Sequence, residues 1–224
     1  MPIINLVYKA PRVWKPNANT LLYLPLENDT IDHSWKWTAI TVSWTPTKAD
    51  IWYWFSGWTY LRTNFSENLF VGSMPYTILM WAKWASWTSW LTNYSPLYST
   101  TYYSGGAYSW SEARLWGSNV FYTSWYWSEQ ALTLDWSDST QWNLMAFVLN
   151  STSQNIYQNS QLIWQGTANY RMSTSNYLNF PSNTSDSWRN KWVWLSKIII
   201  ENKARTADEV SKYYNSTKSL YWIS

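Results

Sequence analysis

Apolar and polar residues alternate in short runs along most of the chain, and turn-forming residues separate the runs. In the segment Leu21 to Leu26, Leu22, Leu24 and Leu26 share one side of an extended backbone, the pattern of a strand with one face against a core. Comparable runs predict strands at Ala39 to Ser43, Tyr60 to Phe65, Thr77 to Lys83, Leu97 to Tyr103, Val120 to Thr123, Ala131 to Leu134, Asn143 to Asn150, Asn155 to Gln158, Gln161 to Ile163, Tyr177 to Phe180 and Leu195 to Glu201. The run Asn143 to Asn150 differs, because Leu144, Met145, Ala146, Phe147, Val148 and Leu149 leave neither face polar. It is therefore predicted to lie centrally, with cover on both sides. One helix is expected: Thr206-Ala207-Asp208-Glu209 is a capping box, and Val210, Tyr213 and Tyr214 follow at helical spacing. Many short strands at even spacing predict an all-β protein, an antiparallel two-sheet jelly-roll β-sandwich with one short C-terminal helix. Lys83 to Trp90 reads as a long loop. No linker divides the chain, so residues 1–19 form an arm and residues 20–224 one domain.

Composition complicates this reading. The chain has 22 Trp and 6 Gly, where roughly 7 % Gly, about 16 residues, is the usual share. Seven Trp directly follow Ser: Trp35, Trp44, Trp87, Trp90, Trp110, Trp125 and Trp188. Asp135-Trp136-Ser137-Asp138 and Ser34-Trp35-Lys36-Trp37 look like turns in which Trp stands where glycine is usual. Two readings compete. The chain is a Trp-rich protein whose indoles stack on sugars, or its gene uses UGA for glycine, as some bacterial lineages and their viruses do, and UGA has been read as Trp. The turn contexts and the missing Gly together favour recoding.

Charge and residue content narrow the function. Charged residues make up 13 % and the net charge is +3, far from the dense basic surface of a nucleic-acid binder. With no Cys, disulfides, thiolate metal sites and thiol catalysis are excluded. No apolar stretch approaches the ~18 residues of a membrane-spanning helix. The apolar residues between Ile3 and Val7 are too few, and interrupted by Asn5, for a secretory signal peptide. A soluble protein without membrane insertion is expected.

The order of motifs resembles the laminin-G-like, concanavalin A-like lectin domains. Leu21-Leu22-Tyr23-Leu24-Pro25-Leu26 followed by Asp32-His33-Ser34-Trp35-Lys36-Trp37 resembles that family's opening strand and its Asp-x-Ser-Gly-x-Gly turn. Phe55-Ser56-Gly57 through Leu61, Thr77 to Lys83, Gln141 to Ala146 and Ile156 to Leu162 are similar to its successive strands, with Ser160 at a position usually held by Gly. Trp194 to Ile198 and Ala204 to Val210 resemble its closing strand and capped helix. The resemblance spans about residues 20–215 and implies a jelly-roll fold and sugar binding. It also sorts the tryptophans: Trp81 and Trp142 match family tryptophans, whereas Trp35, Trp37, Trp136 and Trp194 match glycines or turns.

Several residues carry candidate chemistry. Glu27-Asn28-Asp29-Thr30-Ile31-Asp32 resembles the carboxylate set of jelly-roll glucanases, but Asp32 replaces the final Glu and the motif lies in a turn. Retaining hydrolysis needs two carboxyls about 5 Å apart across a cleft, so catalysis is disfavoured. A Ca²⁺ site with Asp29 and Asp32 as ligands fits better, since hard cations take carboxylate oxygens from turns. His33, the only histidine, is expected to be an ordinary turn residue, and no nucleophile elbow accompanies it. Tyr98, Tyr102, Tyr103, Tyr108, Tyr122 and Tyr126, with Tyr94, form the richest aromatic stretch that does not depend on Trp. Their rings and hydroxyls suit sugar faces. Arg189, Lys191, Lys197, Lys203 and Arg205 read as a solvated basic face.

The sequence thus predicts a non-catalytic lectin-like domain, displayed on a virion or a cell surface, whose partner is a glycan or surface polysaccharide. The alternative is a structural capsid-decoration or tail protein that contacts other virion proteins and has no glycan role. A glycoside hydrolase comes third.

Overall fold

The structure, a computed structural model, describes residues 14–221 apart from 28, 37, 44–45, 50, 57–58, 66–74, 85–94, 105–106, 117–119, 126–127, 134–140, 168–176 and 182–191. At 43, 56, 84, 95–96, 98–104, 107–116, 120–125, 128–133, 177 and 192 it describes the backbone alone. In chain order the strands are β1 (Thr20–Leu24), β2 (Ala39–Ser43), β3 (Thr47–Lys48), β4 (Tyr53–Ser56), β5 (Tyr60–Asn64), β6 (Tyr76–Trp84), β7 (Ser95–Ser104), β8 (Ala107–Trp116), β9 (Val120–Trp125) and β10 (Ser128–Thr133). They continue with β11 (Asn143–Leu149), β12 (Ser153–Gln158), β13 (Gln161–Thr167), β14 (Tyr177–Phe180) and β15 (Trp192–Glu201). Helix α1 (Ala207–Thr217) and a 3-10 turn over Lys218–Tyr221 close the described chain.

These strands form the antiparallel two-sheet sandwich that the alternation predicts. The seven-stranded sheet runs β10-β9-β8-β7-β14-β5-β2, and the eight-stranded sheet runs β13-β12-β11-β6-β15-β4-β3 with β1 also on β15. Strand β15 serves two partners along one edge: Trp192–Leu195 pair with β4, and Ile198–Glu201 pair with β1. At the changeover the register with β6 shifts between Ser196 and Ile199, and Lys197 takes φ +46°, as a bulge demands.

Two apolar layers follow from the alternation. Between the sheets, Leu22, Leu24, Phe55, Ile78, Met80, Met145, Phe147, Leu195 and Ile200 meet Leu61, Leu97, Leu178 and Phe180. On the far side of the eight-stranded sheet, Tyr23, Leu79, Trp81, Leu144, Ala146, Val148 and Ile199 meet Val210, Tyr213 and Tyr221 from α1 and the closing turn. Strand β11 contributes to both layers, as its unbroken apolar run predicts. Strand β1 departs from expectation. All five of its residues are buried, because Tyr23 and its neighbours lie beneath the C-terminal segment rather than facing water.

Helix α1 begins with the capping box read from the sequence. The Glu209 N–H donates to Thr206 Oγ1 (3.2 Å), and the Thr206 N–H donates to Glu209 Oε2 (2.9 Å). Strands β3 and β8 were not anticipated, and of β4 only Phe55 and Ser56 fall in a stretch that resembles a family strand. The Lys83–Trp90 loop overlaps β6 at its first two residues, and 85–90 lie outside the described residues.

Candidate functional site

The two sheets differ in how their outer faces are used. The middle of the eight-stranded sheet's outer face, on β1, β6, β11, β12 and β15, is buried under α1 and the closing turn. Among the described residues, no helix or strand packs over the outer face of the seven-stranded sheet.

A polar row crosses that open face. Thr41 stands opposite Arg62 and Arg62 opposite Asn179. Asn179 stands opposite Ser99, Ser99 opposite Glu112, Glu112 opposite Ser124 and Ser124 opposite Glu129. Each strand of the sheet contributes one residue. Leu178 and Phe180, which flank Asn179, belong to the core between the sheets, so strand alternation puts the row on the opposite face. Hydrogen bonds order the described end. Arg62 Nε donates to Asn179 Oδ1 (3.0 Å), and Asn64 Nδ2 donates to Thr41 Oγ1 (2.9 Å). The Arg62 guanidinium carbon lies 5.4 Å from the centre of the Tyr60 ring, within cation–π reach. Asn179 itself is fully buried and serves to hold Arg62, so the accessible part of the patch is the half-buried Arg62, Tyr60 and Asn64 with the exposed Thr41. Sequence reasoning passed over it, although the signal was present. In Tyr60-Leu61-Arg62-Thr63-Asn64 the half-buried and buried residues alternate.

Register divides the predicted tyrosines. Tyr103 stands opposite Tyr108, each an even number of positions from the row at Ser99 and Glu112, and Tyr122 is two positions from Ser124. These three positions belong to the open face. Tyr98 stands opposite Ala113 and Tyr102 opposite Ser109, positions of the other face. Tyr94 and Tyr126 lie outside the described residues.

The two candidate calcium ligands have different partners. Asp32 is 1 % exposed, and its carboxylate accepts hydrogen bonds from the Tyr23 N–H (2.9 Å), the Ser34 N–H (2.8 Å), the Ser34 hydroxyl (2.7 Å) and the Thr38 N–H (2.7 Å). It organises the turn between β1 and β2, and a cation would compete with those donors. Asp29 accepts from the Ile31 N–H (3.1 Å) and meets His33 Nε2 at 3.0 Å. Among the described residues no three His, Cys, Asp or Glu side chains converge as a metal site.

The expected basic face is corrected where it is described. Lys197 is buried and pairs with Glu27 at 3.2 Å. Arg205 is buried against Glu201. Lys203 pairs with Glu209, and its hydrogen bond is the main reason the Glu209 carboxyl sits below its ordinary range. Lys197 thus ties β15 to the turn after β1, Arg205 ties the start of α1 to β15, and Lys203 pairs with the first turn of α1. Arg189 and Lys191 lie outside the described residues.

The tryptophans fall into two groups. Trp81 and Trp142 are buried against Tyr221: Trp81 stacks on its ring with centres 4.2 Å apart, and Trp142 lies tilted to it at 5.1 Å. Trp35 is 76 % exposed at a turn, whereas Trp194 lies in β15 with its ring 4.2 Å from that of Trp54. The described non-glycine residues with positive φ are Leu26, Asn159, Ser160 and Lys197. The backbone at Trp35 and Trp194 therefore does not call for glycine, and recoding gains no support from it. Trp37 and Trp136 lie outside the described residues.

No helix among the described residues is long and apolar enough to cross a membrane. The sequence matches no established protein-family model and no curated protein. Its fold is similar to that of several solved structures. The receptor-binding domain of botulinum neurotoxin D matches with a TM-score of 0.71 and 14 % identity, over 89 % of this chain and 53 % of that one. A structure described under "Cell entry of botulinum neurotoxin type C is dependent upon interaction with two ganglioside molecules" matches with a TM-score of 0.68 and 17 % identity, over 88 % and 51 %. The binding domain of botulinum neurotoxin DC in complex with rat synaptotagmin II matches with a TM-score of 0.67 and 17 % identity, over 90 % and 52 %. The chain spans about half the length of the structures it matches. At these identities the likeness shows the fold alone: a β-sandwich of the kind found in those binding domains.

Proposed function

We propose that this chain is a non-catalytic, lectin-like domain that binds a glycan through the outer face of its seven-stranded sheet, and that it is displayed on a virion or a cell surface. The observation that carries the proposal is the asymmetry of the two outer faces. The middle of one is covered by α1 and the closing turn, while the other carries a polar row, with half-buried Arg62 and Tyr60 at one end, Arg62 held by the buried Asn179, and the positions of Tyr103, Tyr108 and Tyr122 further along. Sugars are bound by rings that meet their apolar faces and by fixed polar groups that meet their hydroxyls, and this face offers both. The resemblance of the motif order to that of laminin-G-like domains supports the same reading. So does the dependence of neurotoxin type C entry on two ganglioside molecules, with an acidic glycan as the first candidate because Arg62 suits a carboxylate.

A glycan array tests the proposal. The intact chain is expected to retain at least one glycan class, and the double variant Tyr103→Ala, Tyr108→Ala to lose it while remaining folded. An array with no binding to the folded chain would overturn the lectin reading and leave the structural virion role. The recoding of surface tryptophans rests on composition and turn context, and the codon at Trp35 decides it: UGA supports recoding and UGG ends it.

A further inference from the structure

We infer that the edge at β2, which no strand among the described residues pairs, is a dimer interface, at which a second copy of this chain pairs its own β2 antiparallel about a two-fold axis through Thr41. Strand β2 ends the seven-stranded sheet. Its five residues, Ala39-Ile40-Thr41-Val42-Ser43, include no charge and no proline, the two usual protections of an exposed edge. Ile40 and Val42 stand opposite Thr63 and Leu61, which are fully buried, so both occupy the core-facing side of the sheet. Ile40 packs against the core, yet Val42 is 40 % exposed. A core-facing valine this open marks a place where one more strand would complete the sandwich. An open groove of about 290 Å³ runs beside the edge, lined by Thr30, Ile31, Asp32, Thr38, Ala39 and Ile40, and Ile31 is 57 % exposed at its rim.

The composition of β2 makes its own copy the fitting occupant. Antiparallel pairing about Thr41 sets Thr41 opposite Thr41 of the second copy, Ile40 opposite Val42, and Ala39 opposite Ser43. Branched residues then meet on the core side, small residues meet on the outer side, and no charges are opposed. The cation on the neighbouring strand, Arg62, is separated from its copy by the two β2 strands, about 14 Å at about 4.8 Å per strand, beyond the roughly 8–10 Å over which surface charges act in physiological salt. Such a dimer joins two seven-stranded sheets into one, with both outer faces on the same side. A surface carrying many copies of one ligand would then be held bivalently, with a gain in avidity that needs no new contact. The inference does not depend on the ligand being a glycan.

Because the chain has no Cys, single cysteines read the register directly. Under mild oxidation Thr41→Cys is expected to form a disulfide-linked dimer, since directly opposed residues lie about 4.5–5.5 Å apart. Ala39→Cys is expected to stay monomeric on a non-reducing gel, since its copies would be about 13 Å apart along the strands, beyond the ~7 Å limit for a disulfide. In sedimentation velocity the unmodified chain is expected to run as a dimer, and Val42→Lys as a folded monomer at the same concentration. Monomeric behaviour of the unmodified chain at the highest attainable concentration would overturn the inference. So would cross-linking of Ala39→Cys as efficient as that of Thr41→Cys.

Discussion

Arg205 grips Glu201 with two parallel hydrogen bonds, Nε to Oε2 at 2.6 Å and Nη2 to Oε1 at 2.8 Å, and both side chains are buried. The pair joins the end of β15 to the start of α1, and the guanidinium also lies over the Tyr213 ring, 5.4 Å from its centre. Removing one partner leaves the other charged and buried, which costs about 3–5 kcal/mol. Arg205→Met and Glu201→Met are each expected to lose that much in urea unfolding. The double variant should recover part of the loss, because no charge is then stranded. Equal and additive losses would show that the pairing contributes nothing.

Asp32 is expected to matter as an acceptor in the turn. Asp32→Ala strands the N–H groups of Tyr23, Ser34 and Thr38, each stranded donor costing about 1–3 kcal/mol, so a loss of at least about 3 kcal/mol is expected. Asp32→Asn keeps one oxygen and should lose less. A melting temperature unchanged in Asp32→Ala would remove Asp32 from this role.

Asn159 and Ser160 form the two-residue turn between β12 and β13, with φ of +49° and +72°, the conformation in which Asn-Gly is favoured. The Asn159 side chain is held in place: its Nδ2 donates to Asn143 Oδ1 (2.7 Å), and its Oδ1 accepts from the Leu144 N–H (2.9 Å). Ser160→Gly is therefore expected to stabilise the chain by about 1 kcal/mol. Asn159→Gly relieves the same backbone conformation but loses both bonds, and is expected to destabilise it. Thermal unfolding of the two variants separates the cases by sign.

High pH should weaken the packing of α1. Burial, then the charge of Glu27, pushes the Tyr23 hydroxyl up to about 12, and burial also raises those of Tyr213 and Tyr221. All three belong to the layer beneath the C-terminal segment. A phenol whose pKa is higher folded than unfolded contributes its full stability below pH 10, and loses it as pH rises toward the folded value. Tyr23 alone accounts for roughly 3 kcal/mol lost between pH 10 and pH 12. The melting temperature should be level from pH 8 to 9 and fall steeply above pH 10, less so in Tyr23→Phe. A flat profile to pH 11 would contradict this.

Most of the sandwich was legible in the sequence because its physics is local. Strand alternation and the capping box at Thr206 identify elements from neighbouring residues, and Ser160 shows even where a turn residue is suboptimal. Strand β3 and the start of β4 are not legible because they are short, two and four residues long, with too few positions for alternation to register. Burial of both faces of β1 depends on where α1 packs, a long-range fact that no window contains. The basic face failed for a similar reason. Lys197 and Arg205 look like surface cations until β15 and α1 bring Glu27 and Glu201 to them. The Tyr102–Tyr103 pair reads in sequence as one cluster, whereas strand alternation gives its members opposite faces.

That last division offers the most direct test. Isothermal titration with a glycan retained by the intact chain should compare Tyr103→Ala with Tyr102→Ala. Binding through the open face requires Tyr103→Ala to weaken affinity at least tenfold, about 1.4 kcal/mol, with its melting temperature kept. Tyr102→Ala should retain the affinity of the intact chain in whatever fraction remains folded. Loss of affinity in folded Tyr102→Ala with full affinity in Tyr103→Ala would contradict the account.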